Sequence, residues 1–313
     1  MHAPRRLYKY RSFNARTLEL LVEDKVYFAE PSTFNDPMDT KPSVEPDLDV
    51  MELEQILETL TIRRISTEMT AAARSIRYKG PRTVAHIERH AGLQAQRLIA
   101  EIAYQASDSE YEQPAPVPHK MLLSMHIERE LLRQHEKGVL SLATRFDCPL
   151  MWSHYGDQHR GVCIGYSIPP ESSLNVQRVS YGGSRLVRAS RVKAMLEDDA
   201  SAAQEVDQGV LLKKARSWQY EKEWRILGAK GLHDSRLELE EIVLGSRCPW
   251  SVKHSIRKAL EGRDRQVKLF EMREVPGEFK LRRYALADED FSMPARRALT
   301  IYEGFQDVGS VAG

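Results

Sequence analysis

The segment Met151-Trp152-Ser153-His154-Tyr155-Gly156-Asp157-Gln158-His159-Arg160-Gly161 places two histidines, a tyrosine, an aspartate and an arginine between apolar runs. On a helix, Trp152 and Tyr155 share a face with Ser153 and His154 beside them, the pattern of a wall that stacks on a flat ligand and hydrogen-bonds its rim. A solvated helix end has the same composition. In Tyr220-Glu221-Lys222-Glu223-Trp224-Arg225, strand alternation puts Glu221, Glu223 and Arg225 on one face and Tyr220, Lys222 and Trp224 on the other. Paired carboxylates there would divide the work, one holding a ribose hydroxyl and the other activating a nucleophile. Their repulsion would raise one pKa unless a cation relieved it. The competing reading is a charged edge strand. Tyr10-Arg11-Ser12 supplies a guanidinium suited to bidentate grip of phosphate or carboxylate, with a surface ion pair as its alternative. Asn35-Asp36-Pro37 adds polar groups on a loop, where an Asx turn competes.

Metal chemistry finds less support. His154 and His159 lack the H-E-x-x-H spacing and no cysteine pair stands near them, so no metal is expected. A nuclease built on His154, Asp157, Glu221 and Glu223 is correspondingly the poorest reading. The phosphate loop GxxxxGK[ST], the GxGxxG dinucleotide turn and the GxSxG nucleophile elbow are all absent.

The elements that must hold these groups follow from periodicity. A strand over Leu7 to Tyr10 leads to a helix over Ala15 to Val22 and a strand over Lys25 to Ala29. Between Asp49 and Gln105, Met51, Leu53, Ile56, Leu57 and Leu60 recur at helical spacing, which predicts two or three helices broken at Gly80-Pro81. Ser107 to Pro118 reads as a proline-rich connection. After a helix over Leu122 to Glu136, seven strands are expected: Val139 to Ala143, Gly161 to Ile168, Val176 to Tyr181, Trp224 to Leu227, Leu237 to Leu244, Val267 to Met272 and Lys280 to Ala285. Helices over Ser201 to Ser217 and Ser251 to Glu261 interrupt them. The fold class is therefore α/β of the α+β type, a mixed, mostly antiparallel sheet with an inserted helical segment. The organisation expected is a core of residues 1–48 and 119–290, a helical insertion with its linker over 49–118, and a tail over 291–313.

Composition excludes several classes. The 313 residues are 42% hydrophobic and carry a formal charge of +1, which leaves no global field to attract nucleic acid or an anionic membrane. No run approaches the roughly 18 to 20 apolar residues of a membrane span, and Met1 to Tyr10 lacks the apolar core of a signal peptide, so a cytoplasmic, membrane-free protein is expected. Cys148, Cys163 and Cys248 are scattered and odd in number, which predicts buried free thiols.

Leu7 to Ser12, Val26 to Pro31 through Phe34-Asn35-Asp36-Pro37, Met151 to Tyr155, Gly161-Val162-Cys163-Ile164-Gly165-Tyr166, Tyr220 to Ile226 and Glu241 to Gly245 together resemble a bacterial family catalogued as domain of unknown function 2971. The resemblance spans most of residues 7 to 275, apart from the helical stretch. The order of an early Tyr-Arg-Ser strand, a middle polar-aromatic segment and a late Glu-x-Glu strand is also similar, more weakly, to ADP-ribosyltransferases that consume NAD. That similarity implies that Arg11 holds the dinucleotide, Tyr155 or Trp152 packs on nicotinamide, Glu223 stabilises the oxocarbenium-like transition state and Glu221 orients the acceptor. The Ser-Thr-Ser motif of that pattern is missing, with Ser141-Leu142-Ala143-Thr144 the nearest approximation.

The expected activity is thus NAD-dependent ADP-ribosyl transfer in bacterial stress, conflict or phage defence. Glu223, Glu221, His154 and Tyr155 would be catalytic, and Tyr10, Arg11, Ser12, Asn35, Asp36, Trp152, Ser153 and Arg225 would bind the nucleotide. The partners expected are NAD as substrate, a protein or nucleic-acid acceptor and an antitoxin-like restraining protein. The alternative is a non-enzymatic nucleotide or nucleic-acid sensor that works by stacking and phosphate pairing.

Overall fold

The computed structural model describes residues 4–78, 80–108, 116–134, 137–172 and 174–291. Most of the expected linker and of the C-terminal tail, at 109–115 and 292–313, lies outside the described residues, as does the end of the helix expected to reach Glu136.

Strand β1 (Arg6–Arg11) runs into helix α1 (Ala15–Val22), whose first turn is capped by Asn14 accepting from the Thr17 amide at 2.9 Å. Strands β2 (Lys25–Phe28) and β3 (Ser43–Glu45) follow. Three long helices come next: α2 (Val50–Ser75), α3 (Thr83–Ala106) and α4 (Val117–Gln134). A reciprocal capping box between Asp49 and Glu52 opens α2, and the chain breaks between α2 and α3 around Gly80-Pro81 as its sequence predicts.

Beyond them lie β4 (Lys137–Ala143), α5 (Pro149–His154), β5 (Val162–Ser167), β6 (Val176–Arg178), β7 (Ser180–Tyr181) and β8 (Leu186–Arg188). Helices α6 (Ala189–Leu196) and α7 (Ala200–Leu211) lead to β9 (Lys213–Lys214) and a 3-10 turn over Arg216–Glu221. Next come β10 (Glu223–Ala229), β11 (Gly231–Asp234), β12 (Glu238–Leu244), α8 (Trp250–Ala259), β13 (Lys268–Glu274) and β14 (Leu281–Ala285), and a 3-10 turn over Asp288–Phe291 closes the described residues. The helix expected over Ser201 to Ser217 stops at Leu211, because Lys213–Lys214 pair in parallel with Ser180–Tyr181 instead of continuing it.

Eight strands form one sheet in the order β14-β13-β12-β5-β1-β4-β10-β6. Every neighbouring pair is antiparallel except β12 with β13, whose crossover is α8. The protein is therefore an α+β fold on a mixed, mostly antiparallel sheet. Alternation sends Leu7, Leu140, Leu142, Ile164 and Ile226 to one face, into a core closed by Leu21 of α1 and Ile256 of α8. Tyr8, Tyr10, Ala143, Cys163 and Val243 point the other way and pack with Trp152. A further core joins Leu53, Ile56, Leu57 and Leu60 of α2 to α3, α4, α6, α7 and Val139 of β4. All three cysteines are free and buried, as expected from their number and spacing. Among the described residues, no helix is long and apolar enough to cross a membrane.

Candidate functional site

In the centre of the sheet, the register of β1 and β4 holds at one pair, Tyr8 with Ala143, and beyond it the strands diverge. A cavity of about 250 Å³ opens there, lined by Lys9, Asn35, Ser141, Tyr155, Glu221 and Glu223 among others. Its floor is a buried ionic cluster. Lys214 of β9 places its ammonium 2.5 Å from Glu221, 3.1 Å from Glu223 and 3.2 Å from Asp39. Arg225 of β10, 0% exposed, donates from Nε to Glu223 at 2.8 Å, from Nη2 to both Asp39 oxygens at 2.7 and 2.9 Å, and from Nη1 to the Leu211 carbonyl at 2.6 Å. Two cations thus satisfy three carboxylates, as burial requires of charges removed from water. Among the described residues, no group of three or more His, Cys, Asp or Glu side chains is arranged to hold a metal ion. Where these three carboxylates converge, Lys214 and Arg225 supply the positive charge.

The two glutamates come together by a route that strand alternation does not anticipate. Strand β10 begins only at Glu223, and Glu221 ends the preceding 3-10 turn. Lys222 between them adopts a left-handed conformation, φ 45° and ψ 51°, which returns both carboxylates to the same ammonium. Their environments then differ. Burial works to raise Glu223, but the charges of Arg225 and Lys214 hold it well below the usual carboxylate range. Burial raises Glu221, and the opposing pull of Lys214 does not cancel that rise. Glu221 also accepts from the Tyr155 hydroxyl at 2.8 Å. Burial and then the Glu221 charge push that phenol above its ordinary value, with Asn35 beside it.

The structure gathers Tyr155, Asn35, Glu221 and Glu223 at the cavity, with Tyr10 on its aromatic side and Arg225 beneath, away from its lining. Other candidates lie elsewhere. Trp152 is 0% exposed, donates to the Phe146 carbonyl and meets Tyr10 edge to face, so it presents no surface for stacking a ligand. The expected shared wall with Tyr155 does not form, because Trp152 is fully buried in the core and only Tyr155 reaches the cavity. His154 is exposed and packs against Trp218, and Ser153 bonds the Pro149 carbonyl and His159. Arg11 lies on the opposite face of β1 from Tyr10, near Tyr166 and Arg16, and Ser12 is exposed. Asp36 forms the Asx turn, accepting from the Met38 amide at 2.9 Å.

Three residues of the site escape a sequence reading: Lys9, Asp39 and Lys214. A lysine between two buried tyrosines on the first strand was a usable signal for Lys9. Nothing local marks Asp39, whose partner Arg225 stands 186 positions away.

The fold and site define an α+β protein with a polar cavity where its central sheet divides. Residues 151–226, which carry Tyr155, Lys214, Glu221, Glu223 and Arg225, match the model of a family described as protein of unknown function (DUF2971), so the resemblance read from the sequence holds over that segment. No curated protein and no solved structure matches the chain.

Proposed function

We propose that this cavity is the centre of an NAD-dependent ADP-ribosyltransferase-like enzyme acting on a protein or nucleic-acid acceptor. Departure of nicotinamide builds positive charge on the ribose, and a preorganised carboxylate stabilises that charge where it develops. The observation that carries the reading is the convergence of Tyr155, Asn35, Glu221 and Glu223 on one cavity. The two glutamates divide the work: Glu223, kept ionised by Arg225 and Lys214, is the carboxylate that stabilises the charge on the ribose, and Glu221, raised by burial, is the group that takes the proton of the acceptor. At about 250 Å³ the cavity lies just under the roughly 300 to 1,000 Å³ of ligand pockets. It suits nicotinamide and its ribose, with the adenylate half outside the mouth. A role in bacterial stress or phage defence, under an antitoxin-like partner, is part of the same proposal.

Labelled NAD tests it. The protein should release nicotinamide and transfer label to an acceptor, and Glu221→Gln should slow both by about 10²-fold or more while NAD binding persists. Absence of both release and transfer, with protein and nucleic-acid acceptors supplied, would overturn the proposal. One observation favours a nucleotide sensor instead: the cavity carboxylates are satisfied by internal partners before any ligand arrives. In a sensor, Glu221→Gln would leave the biological effect intact.

A further inference from the structure

Lys9 has no part in that scheme. It stands on β1 between Tyr8 and Tyr10, where the strand leaves β4, and its side chain lines the cavity. Its ammonium donates to the Ser141 carbonyl at 2.9 Å, and among the described residues it forms no ion pair. Lys214 and Arg225, in contrast, are each held by at least two carboxylates. An ammonium withdrawn from water with one carbonyl for company is disfavoured in its charged form. Burial brings Lys9 down to about 8 from 10.5. Arg11 on the same strand and Lys214 of β9 act in the same direction, against Glu223 of β10 and Glu221 of the 3-10 turn.

We infer that Lys9 is a nucleophilic amine that forms an imine with a small aldehyde bound in this cavity. The neutral amine attacks the carbonyl carbon, and a C–N bond forms as the C=O π pair moves to oxygen, which takes up a proton. The carbinolamine then expels water as the nitrogen lone pair closes the C=N bond. In sum, lysine ammonium and aldehyde give a protonated imine and one water. Glu221, bonded to the Tyr155 hydroxyl at 2.8 Å, is the cavity group able to give and take the protons. The volume of about 250 Å³ sets the size class, an aldehyde no larger than a simple sugar. The chemistry needs no nucleotide, so it stands or falls independently of NAD turnover.

The experiment treats the full chain with glycolaldehyde and cyanoborohydride across pH 6.5 to 10.5 and maps the reductively alkylated lysines by mass spectrometry. Lys9 should be modified about tenfold faster than the other lysines at pH 7.5, with a rate that rises through a midpoint near 8. Lys9→Arg should remove that fast phase and keep the melting curve. The ratio of Lys9 to the other lysines within the wild-type sample decides the matter even if the variant fails to fold. Uniform labelling, slow labelling of Lys9 or a midpoint above 10 would overturn the inference.

Discussion

Arg225 shows what holds the cavity floor together. Its guanidinium reaches Glu223, Asp39 and the Leu211 carbonyl at once, a fan of donors that a lysine cannot reproduce. Arg225→Met should cost about 3 to 5 kcal/mol, because it strands buried carboxylates beside a single ammonium. A denaturant titration measures the loss, and a variant as stable as wild type would refute the assigned role. Residues such as Glu221, Tyr155 and Asn35 were legible because polar groups stood out between apolar runs. Trp152 misled for the opposite reason: its polar neighbours suggested a ligand wall, while its indole fills the core. Lys214 was silent because a lysine's partners are tertiary, and sequence presents a buried ammonium and a solvated one identically.

The turn after α5 departs from the backbone conformations usual for residues with side chains. Asp157, Gln158 and His159 all have positive φ, at 49°, 53° and 69°, an unusual run for residues with side chains. The Trp152 carbonyl accepts from the amides of both Gly156 and His159, which ties the turn down. Close approach on either side requires glycine: a Cβ on Gly161 would sit 2.2 Å from the Arg11 carbonyl oxygen, and one on Gly245 2.1 Å from that of His159. Gln158→Gly should therefore relieve strain and stabilise the protein by up to about 1 kcal/mol, read as a rise in melting temperature. A fall would show that the side chain earns its conformation through contacts. Elements set by local periodicity were readable, α1 to the residue and the α2–α3 break at its Gly-Pro pair. Positive φ at three consecutive non-glycine residues leaves no such trace, and neither does a helix stopped by a two-residue parallel pairing.

Across the whole molecule, the helical layer and the sheet are joined through shared side chains. Val139 of β4 packs in the same core as Leu57, Ile102 and Ile127 of the long helices. The four tryptophans, Trp152, Trp218, Trp224 and Trp250, all lie outside α2, α3 and α4. Indole fluorescence therefore follows the sheet side, while far-UV circular dichroism is dominated by the long helices. The two signals should melt at one temperature if the shared core couples the layers; helices that lose structure well before the fluorescence changes would refute the coupling. The mixed, mostly antiparallel architecture was legible from the strand-rich second half. The strand order was not, since β1 lies between β5 and β4 through pairings such as Arg6 with Ser167 and Tyr8 with Ala143, far apart in the sequence.

The single residue pair between β1 and β4 has one more consequence. Five strands lie on one side of it and three on the other, so the sheet has a spine like that of a half-opened book. The gape of the cavity is a property of that spine and belongs to the backbone. Replacing a lining side chain alters what the cleft can recognise or react with, whereas admitting a wider guest requires the two leaves to swing apart.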